Sequence, residues 1–391
     1  MTAAAPATGS RWTAEPLEGA AAVGEEEWNG LARRGFHLHQ WFRAAEDSGW
    51  RARHVVARED ARARAVFPAY LTGADTPHDL HERWLGPLRG LERIGLGLRP
   101  VLSVQSPFSL TSDALGDAAA LPRAVLERVF DLLEETAARE RVRAVAWPWV
   151  DPADEAVIAL ARERGYVVVP AGATARLRIW WESFDGYVAS RSKSVRRTIR
   201  SDLAALEGAG LETASTSEFG HLAAEMSALY RGAYRRRNGR EALVAPGYFH
   251  RIASLPAPEI VAQLTSSGGR LVGSSLNLAA GAVLDGTFAA FGPLEHGGPA
   301  YLNDLVYEPI RLACARGIGT IDLGMSALYP KVLRGARLRR RVALVRGSSP
   351  AMHQVLAALG AAVARRQESK ERRMLGPLWG PRCYEDGEDL P

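Results

Sequence analysis

Twice in this chain a long amphipathic stretch with helical spacing leads directly into a short apolar run. In the first case Leu121, Val125, Val129, Leu132 and Leu133 recur at helical intervals across 119–140, and the run VRAVAWPWV (142–150) follows. In the second, Leu302, Leu305, Val306, Ile310, Leu312 and Ala313 do so across 301–316, Gly317 ends the stretch, and IGTIDLG follows. A helix that feeds a buried strand packs back onto a sheet, so each unit predicts an α/β layer. The chain has 391 residues, more than one ordinary core accommodates. The expectation is an α/β (α+β) fold with mixed sheets in two similarly ordered halves. This rests on element order, because no residue-by-residue repeat is visible.

The remaining signals fill in that order. A helix is expected over 28–48 with a break at Arg34-Gly35, then an antiparallel hairpin of 54–58 and 63–71 around Glu59-Asp60. Residues 72–120 are rich in Gly, Pro and Asp and predict long loops with one short strand near 99–104. A helix over 153–164, ended by Gly165, precedes separate strands at 166–169 and 175–179. The second half predicts a basic helix (190–207), a strand (211–214), a helix (219–237), a short helix (246–254) and strands at 260–265, 270–279 and 280–292. A last strand is expected at 342–345, after a loop that carries Tyr329, Lys331 and a run of arginines. A charged helix is expected over 351–375. Domain boundaries are accordingly expected at 13–180 and 181–350, with a helix and tail over 351–391 and a disordered start over residues 1–12.

Net charge is only +5, which permits a polyanionic partner without demanding one. Two cysteines, Cys314 and Cys383, build neither a disulfide framework nor a zinc cluster, and a reducing cytoplasmic location is expected. His37 and His39, two residues apart on a helix, would face apart, so no metal site is expected. The N-terminal sequence lacks the long apolar run of a signal peptide, and no window approaches the roughly 18 apolar residues of a membrane span.

Charge is concentrated in one place. FDGYVASRSKSVRRTIRSDLAALEGAG (184–210) packs Arg191, Lys193, Arg196, Arg197 and Arg200 into ten residues, between aromatic residues before it and helix-spaced Leu203 and Leu206 after it. An ordered amphipathic helix at the junction of two halves is placed to hold an anionic substrate; a solvated helix face is the plain alternative.

The stretch 184–210, the block PAYLNDLVYEPIRLACARGIGTIDLG and the loop ALYPKVLRGA resemble, in that order, the tandem GNAT-fold acyltransferases. These are the Fem-type peptidyltransferases and the related CelD-like and FemAB-like families. The resemblance covers roughly residues 28–346. It implies two tandem GNAT-like domains and an acyltransferase, with the lysine of the last loop, Lys331, against the donor's ester region or 3′ end. Ordinary GNAT enzymes cradle the coenzyme A pyrophosphate on a Q/R-x-x-G-x-G/A loop between strand and helix. The nearest matches, RLVGSS (270–275) and RRGF (33–36), lie in an expected hairpin and in a helix break. The donor favoured is therefore aminoacyl-tRNA, as Fem-type enzymes use, with acyl-CoA in polysaccharide or secondary-metabolite assembly as the alternative. A third reading is a non-catalytic RNA- or envelope-binding module. No permanently bound cofactor is expected, and the oligomeric state is left open.

Amide formation needs a neutral amine, a held carbonyl and donors for the oxyanion, and no nucleophilic side chain. No G-x-S-x-G elbow or Cys/His pairing is present. Lys331 and Asp322 are the candidate catalytic residues, with Asp322 placed to orient or deprotonate the amine. Tyr301, Asn303 and Asp304 open the main helix and either cap it or line an acceptor pocket. Arg235, Arg236, Arg237 and Arg240 border an Asn-Gly turn, and Arg236 and Arg240, with Tyr329, are candidate contacts to a small amine acceptor. Lys193, Arg196, Arg197, Arg200, Arg334 and Arg337 are candidate phosphate or tRNA contacts.

Overall fold

Strand β15 (Arg337–Gly347) explains how the two halves are joined. It pairs antiparallel with both β8 (Ala144–Val150) and β9 (Val167–Arg178), so a strand from late in the chain lies between two strands from the first half. The computed structural model describes residues 11–73, 99–239, 241–242, 244–245, 247–254 and 259–385. Residues 1–10, much of the expected loop region 72–120, and the last six residues lie outside that set.

β15 is much longer than the expected 342–345, because three consecutive arginines, Arg339 to Arg341, mask its period of two. The expected arginine-rich loop is thus largely strand. β9 is likewise one strand where two were expected. Pro170 and Gly172 suggest a break, but β15 pairs on either side of them and absorbs the irregularity as a register shift between Arg341 and Val342. Gly172 takes φ +110°, and a Cβ there would lie 2.5 Å from the Met325 side chain.

Both helix–strand units emerge as parallel pairs, which require a crossover. β6 (Val101–Val104) passes through α3 (Arg123–Arg139) to the parallel β8, following the earlier helices α1 (Glu25–Gly30) and α2 (His39–Glu46). β13 (Val283–Phe291) passes through α9 (Leu294–Leu302), a π-turn (Asn303–Tyr307) and α10 (Glu308–Arg316) to the parallel β14 (Thr320–Asp322). The second crossover was expected as one helix. Pro309 has no N–H for the Leu305 carbonyl, and the chain widens into a π-turn there.

Among the described residues these pairs belong to an 11-stranded sheet. Its order is β10 (Leu211–Thr216), β11 (Ile260–Ser267), β12 (Arg270–Ala280), β13, β14, β9, β15, β8, β6, β5 (Ala69–Thr72) and β2 (Arg51–Ala52). The expected hairpin forms β3 (His54–Glu59) and β4 (Arg62–Phe67), in a four-stranded sheet with β1 (Trp12–Leu17) and β7 (Leu115–Gly116). Other helices are α4 (Glu155–Glu163), α5 (Phe184–Ala189), α6 (Lys193–Gly208), α7 (Ala223–Asn238), α8 (Tyr248–Ser254), α11 (Leu328–Leu333) and α12 (Pro350–Leu375).

The middle of the large sheet has unlike faces. Ala173, Ala175, Leu177, Ile321 and Leu338 share a core with Tyr307, Ile310 and Ala313 of the second crossover. The alternate residues Thr174, Arg176, Arg178, Asp322, Arg337, Arg339 and Arg341 occupy the opposite side. A strand face this charged must be paired internally or serve a ligand.

Candidate active site

β13 and β14 pair over three residues only, Val283 with Thr320, Leu284 with Ile321 and Asp285 with Asp322. The site begins where that pairing stops, with two buried carboxylates side by side. Like charges so placed need a cation, and Arg34 from the break between α1 and α2 supplies it. Its Nε donates to Asp285 at 3.1 Å and its Nη2 donates to both Asp285 and Asp322, the latter at 3.1 Å. Its Nη1 donates to Asp113 at 3.4 Å. Gly35 makes this insertion possible: a Cβ there would meet the Leu278 carbonyl oxygen at 2.2 Å.

The network runs on across the charged face. Arg341 reaches Asp151 at 3.1 Å and Asp113 at 3.6 Å. Arg176 reaches Asp322 at 3.5 Å and Asp151 at 3.9 Å, and Arg339 donates to both Asp151 oxygens at 3.1 Å. Asp322 also accepts from Gly324 N at 3.0 Å and Thr174 Oγ1 at 3.3 Å. Burial pushes Asp322 and Asp113 towards protonation, but the surrounding guanidiniums win and hold both below the usual carboxylate range.

Beyond Asp322 the diverging strands open a cleft of about 180 Å³. Phe36, Phe108, Tyr230 and Phe288 form its aromatic wall, and Leu323 to Ser326 line it together with Arg237. A second cavity of about 500 Å³, lined by Trp149, Tyr301 and Gln367 among others, shares Arg237, Met325 and Ser326 with the first. Phe108, Phe288 and Ala327, all lining these cavities, have φ of 50°, 48° and 48°, in the left-handed region. At Phe288 the β12–β13 register also shifts. Bulges and non-glycine residues with positive φ cost free energy and concentrate at functional sites.

Lys331 stands behind the cleft wall, 1% exposed, with its Nζ donating to the Leu323 carbonyl. Burial pushes its pKa down to about 7, against the opposing charge of Asp322. Tyr329, on the same short helix, is 40% exposed. Tyr301 lines the second cavity. Asn303 and Asp304 lie in the π-turn in mid-crossover, where no helix starts to be capped. Asp304 accepts from Thr265 Oγ1 at 2.7 Å and Asn303 Nδ2 at 3.3 Å, and burial raises its pKa to about 7. Arg236 donates to the Phe291 carbonyl at 2.6 Å, while Arg240 lies outside the described residues.

The junction cations divide. Lys193, Arg197 and Arg200 are exposed on α6, and among the described residues none forms an ion pair. Arg196 donates to the Arg191 carbonyl at 2.6 Å. The helix is anchored from below, where Asp202 meets the Tyr307 hydroxyl and Arg334. Arg334 is 3% exposed and its charge is matched there, and Arg337 lies on β15. Asp113, Asp151, Arg176 and Asp285 are not legible as site residues in the sequence, and Arg34 and Arg341 read there only as a helix break and as part of an arginine run. Their one local signal is an acid closing an apolar run before glycine, as in LDG at Asp285 and IDLG at Asp322.

Among the described residues no helix is long and apolar enough to cross a membrane, and no group of His, Cys, Asp and Glu is arranged to hold a metal. The fold is similar to FemX (TM-score 0.59, 12% identity, covering 88% of this chain and 100% of FemX). It is also similar to L-PGS from Bacillus licheniformis (TM-score 0.53, 12% identity, 88% and 98%). A tandem GNAT protein from the clavulanic acid biosynthesis pathway matches with TM-score 0.50 and 12% identity, over 87% and 99%. No curated protein sequence matches the chain. The profile of the FemAB-like family, described as peptidoglycan biosynthesis/recognition, matches residues 19–375. The chain belongs to the FemAB-like family and is a transferase with a tandem GNAT-like fold.

Proposed function

We propose that this protein is an N-acyltransferase that moves an aminoacyl group from aminoacyl-tRNA to the amine of an amino-acid-like acceptor, such as a peptidoglycan precursor peptide. The observation that carries the reading is the pair of adjoining cavities at the β13/β14 divergence, joined at Arg237, Met325 and Ser326. Two cavities that share a wall let an acyl ester and an amine enter separately and meet. The neutral amine attacks the ester carbonyl, the tetrahedral oxyanion collapses, the C–O bond breaks, and the ribose oxygen leaves with the proton lost by nitrogen. Beyond Asp285 the edge of β13 that faces β14 has no strand partner among the described residues, so its N–H groups supply oxyanion donors.

Asp322 orients rather than deprotonates, because a carboxylate held down by guanidiniums is a weak base. Lys331 is a positioning residue that fixes the Leu323 carbonyl at the cleft wall. The family description supports an acceptor from peptidoglycan synthesis. The exposed cations of α6 support the choice of donor, because they suit RNA phosphates. A mass-spectrometric screen of charged tRNAs and acyl-CoAs against amines tests this; an amide that forms from intact charged tRNA, and not from charged tRNA digested with RNase beforehand, supports it, and an amide made from acyl-CoA alone refutes the donor.

A further inference from the structure

Past the end of β9, on the charged side of the sheet, lies a third cavity of about 550 Å³ that the proposed transfer does not use. Arg176, Arg178, Arg191 and Arg337 line it, against one carboxylate, Glu385. Two of the four arginines lack a counter-charge. The Arg178 side chain makes no ion pair or hydrogen bond among the described residues, and Arg191 makes no ion pair there.

Arg191 is nevertheless held in place. Its guanidinium carbon lies 4.9 Å from the Trp181 ring centroid and 5.3 Å from that of Tyr187. Its Nε and Nη2 donate to Ser190 Oγ at 3.1 and 3.0 Å. On the far side is Gly335, where a Cβ would come within 2.0 Å of Nη1. Burial draws its pKa down, the mark of a cation withdrawn from water without compensation. Orienting an uncompensated guanidinium costs free energy that an incoming anion recovers.

The second feature is aromatic. Trp180 lines the same cavity, is 70% exposed, and has its ring centroid 4.5 Å from that of Trp181. An exposed indole beside a guanidinium cluster offers a stacking face next to an anion seat, the two elements by which proteins hold a base and its phosphate.

We infer that this cavity is a nucleoside-phosphate site, with the phosphate among Arg178, Arg191 and Arg337 and the base against Trp180. The inference rests on this cavity alone and holds whether the acyl donor is an RNA ester or a thioester. The same chemistry is presented by the unpaired end of an RNA and by a free or sugar-linked nucleotide.

The test is isothermal titration of the full chain with AMP, UMP, inorganic phosphate and a short single-stranded RNA, with thermal denaturation as a check on folding. Saturable nucleotide binding is expected. Arg178→Ala and Arg191→Ala should each weaken it by about tenfold. Trp180→Ala should weaken AMP by about tenfold while leaving inorganic phosphate unchanged. RNA bound much more tightly than AMP assigns the site to an RNA end, and equal affinities assign it to a mononucleotide. Absence of saturable binding to the folded wild type overturns the proposal. So does nucleotide binding that survives both arginine substitutions, or phosphate binding with no contribution from the base.

Discussion

Arg34 donates to Asp322 at 3.1 Å across 288 positions of chain. The contact ties a helix break in the first half to the strand end that opens the cleft in the second. The β13/β14 register sets Asp285 and Asp322 side by side, and this guanidinium from the first half compensates both, so the cleft is a product of the two halves together.

Removing that guanidinium takes from the buried Asp285 the cation that meets it and leaves Asp322 to Arg176 and Asp113 to Arg341. Arg34→Ala should lower unfolding free energy by about 3–5 kcal/mol, the usual cost of breaking a buried ion pair. Arg34→Lys should not restore it, because an ammonium lacks the fork that spans two carboxylates. Chemical denaturation measures both, and a loss below about 1 kcal/mol would mean the network is relaxed or wet. Asp113 and Asp322 have depressed pKa values in the fold, so the stability they contribute is present above the unfolded carboxylate range near 4 and drains away as pH falls below it.

Asp304 and Lys331 carry opposite pH signatures. With a folded pKa raised to about 7, Asp304 binds more proton in the fold than in the unfolded chain at intermediate pH, so its contribution falls as pH rises towards 7. Asp304→Asn should therefore gain on the wild type in Tm between pH 5 and pH 8. Lys331, lowered to about 7, binds less proton in the fold, so its contribution rises with pH above 7. Lys331→Met should be most stabilising relative to wild type near pH 7 and lose that advantage towards pH 10. Tm differences independent of pH would contradict both burial effects.

Lys331→Ala frees the Leu323 carbonyl at the cleft wall. A positioning role predicts a fall in kcat/KM of about a hundredfold, since small misplacements of reacting groups cost that much. Turnover equal to wild type would remove Lys331 from the site.

Charge reversal on α6 separates binding from folding. Arg197→Glu with Arg200→Glu should leave stability within about 0.5 kcal/mol for exposed positions. The same change should weaken RNA binding and flatten its salt dependence. Equal losses of binding and stability would mark these residues as a solvated, structural face.

How far the sequence could be read depends on the range of the interactions. Both crossover units were legible, because apolar periodicity is local and each helix leads straight into its strand. The hairpin around Glu59-Asp60 and the anchored basic helix were legible for the same reason. β15 and β9 were cut short, since consecutive arginines in one and Pro170 with Gly172 in the other hide a pairing made by distant strands. Asp322 and Lys331 could be picked out as residues at and after a strand end. The cations that complete the site could not: nothing near Arg34 announces Asp285, and Arg237 is distinguished from Arg236 only by the way α7 meets the cleft. The buried, paired Arg334 shows the converse, a cation that reads as a surface contact until Asp202 and Tyr307 are seen beside it.

The reaction proposed at the β13/β14 cleft is aminoacyl transfer. Its most direct test is single-turnover transfer of a labelled amino acid from charged tRNA to an amino-acid-like amine, with wild type and with Arg237→Ala, beside the same assay with acyl-CoA. Aminoacyl transfer at this cleft puts label in a new amide with tRNA as donor, with no product when the charged tRNA is digested with RNase beforehand or when Arg237→Ala replaces wild type, and none from acyl-CoA. Label transferred from acyl-CoA while charged tRNA stays intact would contradict it.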